Sequence, residues 1–141
     1  MKTLNLHYEI DGSDFISAGE ASSNVKRILK QLNFDSDIVR RVAICMYEGE
    51  INMIIHADGG SADVCIEECG IEIVLTDTGP GIADIEKAMQ EGYSTATQEV
   101  LQLGFGAGMG LPNIQRNSDK LDIVSQVGVG TTLTIRIDVA K

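Results

Sequence analysis

From Lys2 to Ile10 polar and apolar residues alternate, with Leu4, Leu6 and Tyr8 on one side. That period of two predicts a strand with one buried face. Asp11-Gly12-Ser13 breaks the alternation as a turn, and the period then lengthens. Phe15, Ala18, Val25, Ile28, Leu29 and Leu32 recur at helical spacing, with Ser13 as the expected N-cap. A second helix is predicted from about Asp35-Ser36 to about Ala57. Its apolar stripe is Ile38, Val42, Cys45, Met46 and Met53, and Asp58-Gly59-Gly60 ends it.

Two strand-like runs follow, Ala62 to Glu67 and Ile71 to Thr76, joined by a turn at Glu68-Cys69-Gly70. A short helix is expected over roughly 83–90. The stretch of about 91–108 has small, polar and glycine residues and reads as a mobile lid, since loops of that length are usually functional. Gly108-Met-Gly110 leads into a helix through Leu111, Ile114 and Gln115 that stops near Asn117-Ser118. Pro112 is tolerated there because the first turn needs no internal amide donor. Leu121 to Gln126 and Thr131 to Val139 form a last hairpin around Val127-Gly128-Val129-Gly130. The order predicts one α+β domain over 1–141, a mixed and mainly antiparallel sheet with helices on one face.

Composition narrows this picture. The 141 residues suit one domain with a real core, and 43% hydrophobic with 23% charged residues is ordinary for a globular chain. Aromatics make up only 4% and Trp is absent, so the core has to be aliphatic. No apolar run approaches the roughly 18 residues of a membrane span. Met1 to Glu9 lacks the apolar centre of a signal peptide, and the expected compartment is the cytoplasm. A net charge of -10 argues against nucleic acid and anionic membranes as partners. It also means that a phosphate ligand must be held locally, by backbone dipoles and a metal. The three cysteines contain no CxxC pair; Cys45 is expected in a helix core, and Cys65 and Cys69 as free thiols flanking a turn.

Four short segments carry candidate chemistry. In Glu48-Gly-Glu-Ile-Asn52 the carboxylate and the amide are four apart and share a helix face. Asn52 offers a neutral oxygen to a magnesium ion whose other ligands are phosphate and water. Glu48, one turn earlier, can orient or deprotonate an attacking hydroxyl or water. The alternative is an ordinary solvated face with Glu48 and Glu50 exposed. Gly49, costly inside a helix by about 1 kcal/mol, points to close approach of an element or ligand. His56 continues that face and reads more readily as a rim residue than as a catalyst.

In Asp77-Thr-Gly79-Pro-Gly81, the acid at a strand end can accept from the exocyclic amine of adenine, a contact guanine does not supply. Gly79 and Gly81 let the backbone pass close to a flat base; a plain turn has the same composition. The run Gly104-Phe-Gly106-Ala-Gly108-Met-Gly110-Leu111 is neither a dinucleotide fingerprint nor a Walker loop. It is a glycine-rich loop opening a helix, with free amides and a positive helix end aimed at phosphates, or else a flexible linker. In Gly128-Val-Gly130-Thr131, Thr131 can bond near Asp77 if the last hairpin packs beside the 71–76 strand.

In this order the four segments resemble the GHKL superfamily with its Bergerat ATP-binding fold, a two-layer α/β sandwich shared by gyrase, Hsp90 chaperones, histidine kinases and mismatch-repair ATPases. Within it the tract Met89-Gln-Glu-Gly-Tyr-Ser-Thr95, then Gly106-Ala-Gly-Met-Gly-Leu-Pro112 and Asn113-Ile-Gln-Arg116, is similar to the small bacterial anti-sigma-factor and stressosome switch serine kinases. The resemblance implies ATP and Mg2+ as ligands and phosphoryl transfer to Ser or Thr of a small antagonist, scaffold or sigma-factor-like partner. Glu48 would be the base and Asn52 the Mg2+ ligand. ATP would be held by Asn52, Asp77, Gly79, Gly81, Gly106, Ala107, Gly108, Met109, Gly110, Leu111 and Thr131. A nucleotide-gated interaction module without phosphotransfer is the alternative, and a homodimer stays open. The length leaves no room for a dimerisation helix with a phosphoacceptor histidine, so a histidine kinase is not expected.

Overall fold

A computed structural model describes residues 3–12, 18–57, 59–82, 85, 89 and 110–139. The expected lid of about 91–108, with Gly106, Ala107 and Gly108, lies outside them. So do Met109, Ser13, Phe15, Asp58, the side chain of His56 and most of the 83–90 helix.

Five strands and three helices are described: β1 (Leu4–Asp11), α1 (Glu20–Gln31), α2 (Ser36–His56), β2 (Gly59–Glu67), β3 (Gly70–Asp77), α3 (Gly110–Asn117), β4 (Lys120–Gln126) and β5 (Gly130–Asp138). The strands form one sheet in the order β1-β2-β3-β5-β4. Each of the four ladders is antiparallel, so no parallel pairing of a mixed sheet occurs among the described residues. β5 enters between β3 and β4, which places the C-terminal strand beside the one that ends in Asp77.

The alternation in the strands becomes one apolar face. Val64 faces Ile73 and Ile73 faces Ile135; Ala62 faces Leu75 and Leu75 faces Leu133. All of these are buried, together with Ile66, Ile71 and Ile137. α2 lies against this face, touching β1, β2, β3 and β5, while α1 and α3 flank it. Its expected stripe, Ile38, Val42, Cys45, Met46 and Met53, is buried throughout. Burial also pushes the Cys45 thiol up to about 12, with its Sγ donating to the carbonyl of Ile114 at 3.7 Å. As expected, Cys65 and Cys69 are free thiols.

α1 differs from its sequence expectation. It begins at Glu20 rather than near Ser13, and its N-cap is Gly19 at φ 96, without a side-chain cap of its own. The orphan amides of its first turn go to another helix. Glu50 of α2 accepts from Gly19 N at 3.0 Å and from Ser22 N at 2.7 Å. A carboxylate at a helix N-terminus satisfies donors and complements the helix dipole together. Glu50 is therefore 2% exposed and part of the fold, not the solvated face that its neighbourhood suggested.

Gly49 has an equally specific reason. A Cβ there would lie 2.1 Å from Leu75 Cδ1, so the missing side chain lets α2 seat directly on β3. The close approach inferred from this glycine is that of a strand.

Candidate nucleotide site

Asp77 ends β3 opposite Thr131 of β5. Its Oδ1 accepts the amides of Gly79 at 3.0 Å and Thr131 at 3.2 Å. Two backbone donors fix the plane of the carboxylate and leave Oδ2 as the outward acceptor, bonded to no described residue. The Thr131 hydroxyl turns instead to Ser125 Oγ, 2.8 Å away, which also takes the amide of Ile82 at 2.7 Å. Thr131 thus reaches Asp77 through its backbone, and Ser125 ties β4 to the segment after Asp77.

That segment is threaded through a narrow gap. A Cβ on Gly79 would meet Ala57 at 2.6 Å, and one on Gly81 would meet the Gln126 carbonyl at 2.5 Å. Gly81 also sits at φ 78, which favours glycine. Residues 77–81 are held between the end of α2 and the β4–β5 hairpin, with Gly128 N donating to the Pro80 carbonyl at 2.8 Å.

One and a half turns back along α2, Asn52 meets the start of α3. A Cβ on Gly110 would lie 3.2 Å from Asn52 Oδ1, so glycine keeps open the space between that oxygen and the helix N-terminus. Leu111 is buried in the core behind it. Glu48 follows one turn further, half-buried, its Oε2 accepting from Asn113 Nδ2 of α3 at 2.8 Å. An ionised carboxylate only accepts, so Asn113 must turn its NH2 towards Glu48. Arg116 donates to the opposite atom, Asn113 Oδ1, at 3.3 Å and holds the amide in that sense.

Glu48 and Asn52 share a face of α2, and Asp77 lies beside Ala57 just past its end, so the three follow one another along the length of the helix. Residues 48 to 57 span about 14 Å at 1.5 Å per residue, a length that suits an extended nucleoside triphosphate. Two clefts adjoin this line without coinciding with it. One of about 1010 Å3 lies at the Asp77 end and is lined by Ile55, Gly60, Thr76 and Pro80, but not by Asn52 or Thr131. The other, about 500 Å3, opens at the Glu48 end between the three helices.

Glu48, Asn52, Asp77, Gly79, Gly81, Gly110, Leu111 and Thr131 are all placed along or behind this line. Asn113, Ser125, Glu50 and Leu75 support it and carried no sequence role. Only Asn113 left a signal, lying one turn after Gly110 on the α3 face that meets α2.

Comparison with known proteins bears on the family and the fold. Residues 37–141 match the model of the family described as histidine kinase-, DNA gyrase B- and HSP90-like ATPase. The serine/threonine-protein kinase RsbT of Bacillus subtilis is 31% identical over 126 residues, covering 85% of each chain. An anti-sigma F factor of Halalkalibacterium halodurans is 28% identical over 127 residues, covering 86% of this chain and 84% of its own. Among solved structures, the mycobacterial sensor histidine kinase MprB superposes with a TM-score of 0.54 at 18% identity, over 94% of this chain and 97% of its own, and so shares the fold. The chain belongs to the histidine kinase-, DNA gyrase B- and HSP90-like ATPase family.

Proposed function

We propose that the protein is a Mg2+- and ATP-dependent serine/threonine protein kinase that regulates a small partner protein by phosphorylating it. The observation that carries this is the order of groups along the length of α2: an acceptor at Asp77 of β3 beside the helix end, then an amide oxygen at Asn52 and a carboxylate at Glu48 of the helix itself. The relative named a serine/threonine-protein kinase supports the transfer, and those named anti-sigma factors support a protein as the target. No helix among the described residues is long and apolar enough to cross a membrane, which is compatible with the cytoplasm as the site of action.

In this reading Asp77 Oδ2 accepts from adenine, while the Gly79 and Thr131 amides hold the carboxylate in place. Asn52 would hold Mg2+ through its side-chain oxygen, and the ion would supply positive charge against the phosphates. No group of three or more His, Cys, Asp or Glu side chains able to hold a metal exists among the described residues, so phosphate and water would supply the other ligands. Gly110 and its helix end face the same space and would favour anionic oxygens. Gly106, Ala107, Gly108 and Met109, which lie outside the described residues, are proposed to contribute to binding ATP, as the family resemblance implies. Glu48 takes the proton of the incoming Ser or Thr hydroxyl as its oxygen attacks the terminal phosphorus and the bond to the leaving diphosphate breaks.

The test separates binding from transfer. Glu48→Ala should leave Mg-ATP affinity near wild type and lower transfer by at least about a hundredfold, the usual weight of a general base. Asp77→Asn should weaken ATP binding by about tenfold to a hundredfold, the value of a hydrogen bond to a charged group. Calorimetric titration and transfer from labelled ATP read the two effects. Lost binding in the first variant, or normal affinity in the second, would overturn these roles. A second reading, a nucleotide-gated interaction module, draws on the anti-sigma relatives and predicts ATP-dependent partner capture with no phosphoserine or phosphothreonine.

A further inference from the structure

The outward face of α1 carries charge that its own fold does not use. The side that packs on the molecule holds Ala21, Ser22, Val25 and Leu29, all buried. The opposite side carries Lys26, Arg27 and Lys30, all exposed, between the uncharged Ser23 and Gln31. No acid occurs between Glu20 and Asp35. Lys26 and Lys30 are four apart, and Arg27 and Lys30 three apart. These are the spacings at which helical side chains meet, so the like charges repel.

Other bases of the molecule are neutralised within it. Arg40 pairs with Asp37, Arg41 with Asp119, Lys120 with Asp122 and Arg136 with Asp138. Lys26, Arg27 and Lys30 form no ion pair with any described residue, in a chain that has 21 acids for 11 bases. Glu48, across the cleft that Lys26 also lines, is turned to Asn113 instead. The helix dipole does not account for the cluster either. It favours cations in the last turn, where Lys30 alone of the three lies. Repulsion without an ion pair in return sets local preference against the fold, as happens where a surface serves another purpose. The frame under the charges is fixed: Glu50 holds the Gly19 and Ser22 amides at one end, and the Leu29 carbonyl takes the Phe34 amide at the other.

We propose that the outward face of α1 docks an acidic segment of a partner protein on Lys26, Arg27 and Lys30. This goes beyond the nucleotide site and holds whether the partner is phosphorylated or only bound. Residues 26 to 30 span about 6 Å at 1.5 Å per residue, the separation of two carboxylates one turn apart on a partner helix. A nucleic acid or an anionic bilayer extends past so small a patch and meets a molecule of net charge -10. A short acidic segment meets only the cations, and a basic one is rejected.

The probe is an alanine-based helical peptide with glutamates four apart, compared with its lysine counterpart and with phosphatidylglycerol vesicles. At low salt the glutamate peptide should move the amide resonances of Ser23, Lys26, Arg27, Lys30 and Gln31, and the lysine peptide should not. Sodium chloride at about 0.5 M should abolish the shifts. The combined variant Lys26→Gln, Arg27→Gln and Lys30→Gln should bind the glutamate peptide at least about tenfold more weakly. Its urea midpoint should equal or exceed that of wild type, because the like-charge contacts are gone. A lower midpoint would make the cations structural and overturn the docking face. Absent shifts, shifts centred on another element, or an equal response to the lysine peptide would do the same, as would tighter binding to the vesicles than to the glutamate peptide. None of these readouts involves ATP or phosphoryl transfer, so this inference and the kinase reading fail separately.

Discussion

At the scale of single residues, the helix under the site is fixed by what Gly49 lacks and by what Glu50 holds. Gly49→Ala improves helix propensity by about 1 kcal/mol but drives a methyl into Leu75, 2.1 Å from its Cδ1. Overpacking costs of about 1–3 kcal/mol outweigh the gain, so urea denaturation should show a net loss of stability. Combining it with Leu75→Ala should cost less than the sum of the two singles, because the clash partner is gone. Glu50→Gln keeps one good acceptor for two amides and should lose about 1–3 kcal/mol. Circular dichroism should show α1 fraying first. Asn113→Ala removes the donor that orients Glu48. Its signature should be a lower rate of transfer with an altered pH profile and unchanged ATP affinity.

Among elements, each strand and the two longer connecting helices could be read from periodicity because each has one wet and one dry side. β3 and α2 were bounded within a residue or two of Gly70–Asp77 and Ser36–His56. The start of α1 could not be read in this way, since its cap comes from Glu50, 28 to 31 residues along the chain. The same distance problem hid half of the candidate site. The spacing of Glu48 and Asn52 is local and legible, whereas Glu48 with Asn113, and Ser125 with Ile82, arise only when α3 and β4 pack. At the sheet edge, His7 of β1 sits between Glu9 at 2.8 Å and Asp63 of β2 at 2.6 Å. Hydrogen bonds to Glu9 and then to Asp63 hold its imidazole above the ordinary 6.5. The stabilisation from this raised value is therefore full below pH 6.5 and is lost as pH rises through the folded value. Wild type should exceed His7→Gln in urea midpoint at pH 6, and the difference should shrink by pH 8.

For the molecule as a whole, a chain of net charge -10 that binds a polyanion depends on metal and backbone dipoles, not on its overall field. Mg-ATP at a hundred times its dissociation constant should stabilise the fold by about 2.7 kcal/mol, read as a rise in unfolding temperature. EDTA should remove most of that rise. The three helices lie on one side of the sheet, and the groups proposed to read the base, hold the metal and take the proton follow one another along the length of α2. In the proposed site the rise of that helix would set the distance between the two ends of the ligand.

The pairing of Asp77 with Thr131 also bears on how the protein is made. A ribosome delivers residue 77 long before residue 131, and until β5 inserts beside β3 the carboxylate lacks one of its two amide clamps. Gly130, whose Cβ would lie 2.1 Å from the Asp77 carbonyl, lets that last strand slide fully home. A nascent chain that ends before β5 lacks both the Thr131 amide and the strand that pairs with β3. With Asp77 as the proposed reader of the base, affinity for the nucleotide is gained late in synthesis, and a prematurely ended chain would not compete with finished molecules for ATP.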